Sequence, residues 1–170
     1  MNSTRCKALL SGLLILALAG GCGSSNREPT EKERKEAALY ASEGQFALSV
    51  KEWPRAEELF LKASQASPAG DYFLSLGVAR LRLGKRSEAK AAYEHAVRAF
   101  AREAAREPAL VEPWLRQAYA LAVLGRMDES RALLGKATKK FPNDGRLRTL
   151  NEAKGFEQMV AAPNFKEMAL

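Results

Sequence analysis

Residues 73–96 read FLSLGVARLRLGKRSEAKAAYEHA. Phe73 is followed three and four residues on by Leu76 and Gly77; Ala89 comes twelve after the glycine, and Tyr93 and Ala96 follow at helical spacing. Gly84-Lys85-Arg86 separates the two halves as a turn. The spacing predicts a helical hairpin. Gly77 and Ala89 have almost no side chain and let two antiparallel helices approach closely, while Phe73, Leu76 and Tyr93 fill the space beside them. One hairpin cannot bury both of its faces, so copies are expected on either side.

They are present. Upstream, Ala37, Tyr40, Gly44, Ala56, Phe60, Ala63 and Pro68 repeat the pattern, with Trp53 as the aromatic of the intra-hairpin turn and Pro54 at the first position of the second helix. Downstream, Val111, Trp114, Ala118, Gly125, Ser130, Leu134, Ala137 and Pro142 do so again, with Ser and Leu at two places where the other copies have Ala and an aromatic. Asp128 reads as the N-cap of the second helix of this copy, and Trp114 as a core residue. Three copies in frame resemble the tetratricopeptide repeat, whose period is about 34 residues. That resemblance implies an all-α solenoid of about three helical hairpins over residues 31–157, with repeats at about 37–70, 70–107 and 111–144 and a single capping helix at 145–157. The repeat starts, Ala37, Gly70 and Val111, are 33 and 41 residues apart. The extra length falls in one helix, expected from about Ser87 to Glu107 and overhanging its neighbours by roughly 10 Å.

The N-terminus reads as an address. Arg5 and Lys7 precede an apolar run at residues 8–19, and small residues lead to Cys22. At 12 residues the run is shorter than the ~20 that cross a bilayer as a helix, so residues 1–21 are expected to be a signal peptide. Ala19-Gly20-Gly21-Cys22 resembles the lipobox of bacterial lipoproteins. This implies lipidation of Cys22 and a lipid-anchored cell-envelope protein, at the outer membrane and facing the periplasm. Residues 22–30 are expected to be a flexible tether, ending in Thr30 and Glu33 as a capping box.

Catalysis is not expected. Cys6 leaves with the signal peptide and Cys22 carries lipid, so no thiol remains for a disulfide, a metal or a nucleophile. His95 is the only histidine. No metal site, catalytic residue, cofactor or small-molecule substrate is expected. The net charge of +7 is spread as Lys and Arg interleaved with Glu, the pattern of a solvated surface and not of nucleic-acid binding. The same reading covers Arg98, Arg102 and Arg106, a stripe expected to be self-paired with Glu94, Glu103 and Glu107.

Binding is the chemistry left. Tetratricopeptide proteins hold partners along the inner surface formed by the first helix of each hairpin, which here implies a peptide groove of Leu48, Leu74, Val78, Leu81, Arg82, Leu115, Tyr119 and Val123. Those positions lack the Lys and Asn of carboxylate clamps, so the groove is apolar and a protein or peptide partner is expected. The chain also resembles small tetratricopeptide lipoproteins that build pili, secretin channels or outer-membrane complexes. The alternative role is an adaptor for a cell-wall hydrolase or envelope protease. The tail, residues 158–170, carries Met159, Val160, Phe165, Met168 and Leu170 and is expected to dock on the protein's own surface, with a motif offered to a partner as the alternative.

Overall fold

The structure is a computed structural model that describes residues 27–170. The expected signal peptide, Cys22 and the first part of the tether lie outside the described residues. Nine helices are present among the described residues: α1 (Glu31–Ser49), α2 (Trp53–Ala66), α3 (Gly70–Arg82), α4 (Arg86–Arg106), α5 (Glu112–Val123), α6 (Met127–Lys140), α7 (Gly145–Asn151), α8 (Ala153–Ala161) and α9 (Pro163–Lys166). Each packs on its chain neighbour, and α1 also touches α3, so the first six form an α-solenoid of three hairpins. α1 opens with the capping box read from the sequence: the Thr30 hydroxyl accepts from the Glu33 N–H, and the Glu33 carboxylate accepts from the Thr30 N–H at 2.7 Å. α6 opens one residue before Asp128, at Met127, so Asp128 sits in the first turn and Arg126 takes the N-cap place.

The hairpins share one turn geometry. Gly84 and Gly125 have φ of 75° and 77°, and Lys51, at the matching place in the first hairpin, has φ of 62°. These residues follow one another at the 33- and 41-residue spacing of the repeats. Helix contact is closest in the second hairpin, where a methyl group built on Gly77 would overlap the ring of the fully buried Tyr93. At Gly44 the added carbon would meet Phe60 at 3.0 Å. In the third hairpin Ala118 and Leu134 replace the glycine and the aromatic, and the buried Ser130 hydroxyl donates to the Ala118 carbonyl at 2.7 Å. A larger residue on one helix is matched by a smaller one on the other.

α4 runs 21 residues against 14 in α2 and α6. Its added turns are anchored at their base. Phe100 and Ala104 are buried, Phe100 fills the space left by Gly70, and the Glu103 carboxylate accepts from the Gly70 N–H at 2.8 Å. Glu103 thereby caps α3, whose own N-cap, Ala69, has no side chain to do so. The self-paired stripe expected on α4 is not formed: Arg106 bridges to Glu28 at 2.6 Å, and Arg98 and Arg102 have no carboxylate within 4.0 Å among the described residues. His95 stacks on Phe73 with ring centroids 5.1 Å apart. Burial and then the charges of Arg98 and Arg102 lower its pKa.

The capping element differs from the single helix expected over 145–157. The chain breaks at Glu152, whose backbone is extended, and restarts as α8, which continues to Ala161 across the expected start of the tail. Gly155 lies so close to the Thr149 carbonyl that no side chain fits between them, and the bend lets Leu147 and Phe156 enter the same core.

Candidate protein-binding groove

α1, α3 and α5 supply the inner surface, and its two halves are occupied differently. Over α5 the groove is filled by the chain itself. Ala162 is extended, Pro163 starts the single turn of α9, and Phe165 drops into the groove at 3% exposure, its ring edge-on to Tyr119 with centroids 5.5 Å apart. Two hydrogen bonds fix the segment beyond α9: the Tyr93 hydroxyl donates to the Met168 carbonyl at 2.9 Å, and the Leu170 N–H donates to the Val123 carbonyl at 3.0 Å. Burial and the neighbouring Tyr119 raise the Tyr93 pKa, which keeps the phenol protonated as a donor. Glu167 pairs with Arg82 at 2.5 Å.

Toward α1 the groove stays open. Leu48, Ser49, Lys51, Trp53, Val78 and Arg82 line a cleft of about 440 Å³, closed on its far side by Asn164, Glu167 and Met168 of the tail. Its floor is apolar and its rim carries two cations. Arg82 lies over the Trp53 ring at 5.6 Å, which holds the guanidinium at the junction of open cleft and seated tail.

Of the eight groove residues read from the sequence, Leu48, Val78 and Arg82 line the open cleft. Leu74, Leu115 and Tyr119 are half-buried in the same core cluster as the seated tail. Leu81 is half-buried and outside the cleft. Val123 is a correction: it is fully buried and its carbonyl is bonded to Leu170, so it offers nothing to a partner. Trp53 and Lys51 were missed as groove residues: Trp53 was read as the aromatic of the intra-hairpin turn, and Lys51 carries no signal of its own in the sequence. Trp114 is half-buried, not a closed core residue: it meets Phe141 edge-on at 6.3 Å, and Lys140 lies over its ring at 5.0 Å. Among the described residues no group of three His, Cys, Asp or Glu is placed to hold a metal ion, and no helix is long and apolar enough to cross a membrane.

Residues 114–144, nearly the whole third hairpin, match the tetratricopeptide repeat family. Among solved structures, the Arabidopsis OM64 TPR domain is similar at 17% identity over 74% of this chain and 98% of that one, with a TM-score of 0.46. No curated protein sequence matches the chain. The third hairpin thus matches a tetratricopeptide repeat and sits within the all-α solenoid of three hairpins that the helices form, and a tetratricopeptide fold is consistent with a protein-interaction scaffold.

Proposed function

We propose that the protein is a lipid-anchored tetratricopeptide scaffold of the cell envelope, held through Cys22 at the outer membrane, that binds a protein partner in the open half of its groove. The observation that carries the binding reading is the cleft itself. It is an apolar floor of Leu48, Trp53 and Val78 with Lys51 and Arg82 at the rim, on the surface where a neighbouring stretch already seats an apolar segment. The seated tail indicates what suits the surface: apolar side chains with a carboxylate that reaches Arg82. The signal-peptide pattern and the small residues before Cys22 support the anchor.

Assembly of a pilus, secretin or outer-membrane complex is the role this arrangement serves within that reading. A hydrolase or protease recruited at the same cleft would mark an adaptor instead. A photo-crosslinking amino acid at Val78 in intact cells is expected to give a discrete protein adduct that Arg82→Glu removes and that the same probe at the exposed Lys90 does not give. Identical adducts from both positions would refute the cleft as the binding surface. The anchor is tested separately: Cys22→Ser is expected to abolish palmitate labelling, and labelled lipid still migrating with the variant would overturn it.

A further inference from the structure

In a stack of antiparallel hairpins the first helices start at the end where the second helices finish. Three contacts tie that end together here: Arg106 bridges to Glu28 at 2.6 Å, Glu103 accepts from the Gly70 N–H at 2.8 Å, and Lys140 lies over the Trp114 ring. The overhang of α4 therefore projects beside the point where the tether enters α1. Its tip is apolar, since Pro108, Ala109 and Leu110 of the turn after α4 are exposed, Leu110 at 47%. Behind the tip the charge is positive. Glu28, Glu31, Glu33, Asp71, Glu112 and Asp144 are each paired with an arginine, and Glu103 is held by a backbone N–H. Among the described residues, Lys32, Arg98, Arg102, Lys139 and Lys140 have no carboxylate within 4.0 Å, against Glu107 as an unpaired acid beside the tip. One exposed leucine is ordinary, but a projecting apolar tip backed by unpaired cations is the pattern of an interfacial contact.

We propose that this end of the solenoid rests on the bilayer, with Leu110 in the headgroup region and Arg98, Arg102 and Lys139 against anionic phospholipid headgroups, a placement that rests on the reading of Cys22 as the lipid anchor. Chain length supports it. Cys22 and Arg27 are five residues apart, at most about 18 Å by any path, whereas α1 carries the turn at Lys51 a further 27 Å or about that away. Attraction of exposed cations to an anionic surface fades within a Debye length and is weak for a chain free in solution. An anchor this close raises the local concentration enough for a few such contacts to set the orientation. The cleft of Leu48, Lys51, Trp53 and Arg82 lies toward the opposite end, so it points away from the membrane and stays open to a partner.

The full chain, isolated from membranes in detergent and returned to vesicles of phosphatidylethanolamine with phosphatidylglycerol, gives the test. A photo-crosslinking amino acid at Leu110 is expected to yield about tenfold more phospholipid adduct than the same probe at the exposed Ser87, which lies at the other end of α4, roughly 30 Å away. Arg98→Glu with Arg102→Glu, and separately Lys139→Glu, are expected to lower the Leu110 adduct severalfold with unchanged helical circular dichroism, and vesicles of phosphatidylcholine alone are expected to lower it likewise. The mass of the N-terminal peptide from the same sample keeps the two readings apart. Equal adducts at the two probes on a chain with lipidated Cys22 would overturn the placement and leave the anchor standing, whereas an unlipidated Cys22 would overturn both. A Leu110 adduct indifferent to these charges, or one lost when murein sacculi are added, would also overturn the placement, the latter by assigning the cations to cell-wall carboxylates.

Discussion

At the C-terminal end of the stack Leu147, Phe156 and Phe165 are at most 3% exposed, whereas at the N-terminal end Leu39 and Phe46 are more than half exposed. Both ends carry large apolar side chains on a helix with no further repeat beside it. The difference is made by three short helical pieces: α7, α8 and α9 turn back over α6 and into the groove, and nothing among the described residues does the same for α1. An apolar residue on a terminal helix therefore does not report burial by itself. Whether a later segment can fold over it decides, and that segment needs a bend such as Glu152 or Ala162 to do so.

The largest effect that would break this contrast is at Phe165. Phe165→Ala should cost about 3 to 5 kcal/mol, read from the urea midpoint, because the ring is enclosed by Tyr119 and the α5 core. Phe46→Ala, the same substitution at the open end, should stay within about 0.5 kcal/mol when measured on monomer at low concentration. Similar losses at both sites would mean that the N-terminal face is covered in solution even in the monomer.

A smaller effect separates the second hairpin from the third. Gly77→Ala should cost about 1 to 3 kcal/mol, since the methyl overlaps the enclosed Tyr93 ring, whose hydroxyl is also tied to Met168. The third hairpin tolerates Ala118 at this place because Leu134 stands opposite. Tyr93→Leu in the Gly77→Ala background should therefore cost less than Tyr93→Leu alone, with a coupling of about 0.5 to 3 kcal/mol in a double-mutant cycle. Strict additivity would show that the two residues do not compete for the same space.

The smallest expected effect is electrostatic and belongs to the junction of the first two hairpins. Glu57 on α2 accepts from Lys85 at 2.6 Å and from Arg80 at 3.1 Å. Burial pushes its pKa upward, but the hydrogen bonds from Lys85 and Arg80 outweigh this and leave it below the usual carboxylate value. Because the folded pKa is the lower one, its contribution to stability is complete above the ordinary Glu value, near pH 4.3, and fades as the pH falls through the folded value. Glu57→Gln should flatten that part of the acid slope of the urea midpoint and leave the slope above pH 6, where His95 contributes, as in the parent. An unchanged acid slope would show that the junction draws nothing from this carboxylate.

Much of the fold was legible because repeats reuse local rules. Thr30 with Glu33, Gly44 and Gly77 opposite aromatics, and the turn glycines Gly84 and Gly125 act over a few residues or recur at a fixed period. Part of what could not be read acts over long separations. Glu103 caps a helix that starts 33 residues earlier. The break at Glu152 is local by contrast, with Gly155 against the Thr149 carbonyl, but Leu147, Leu150 and Ala153 keep a helical period across it and so hide it. The groove was legible as a surface but not in its occupancy. Leu115 and Tyr119 carry the same pattern as Leu48 and Val78, and only the seated Phe165 and Leu170 distinguish filled from open.

The length of α4 has a further consequence for how such an array tolerates insertions. Seven residues are two helical turns less about 20°, so lengthening a helix by that number carries its contact face forward almost unrotated. Ala89, Tyr93, Ala96, Phe100 and Ala104 all remain on the buried side from one end of α4 to the other. An insertion of five residues would have swung Phe100 away from Gly70 by more than a quarter turn and left Glu103 unable to reach the start of α3. A repeat of this kind can thus change length by whole pairs of turns without re-specifying its neighbours, and other lengths would require the adjoining hairpins to change with it.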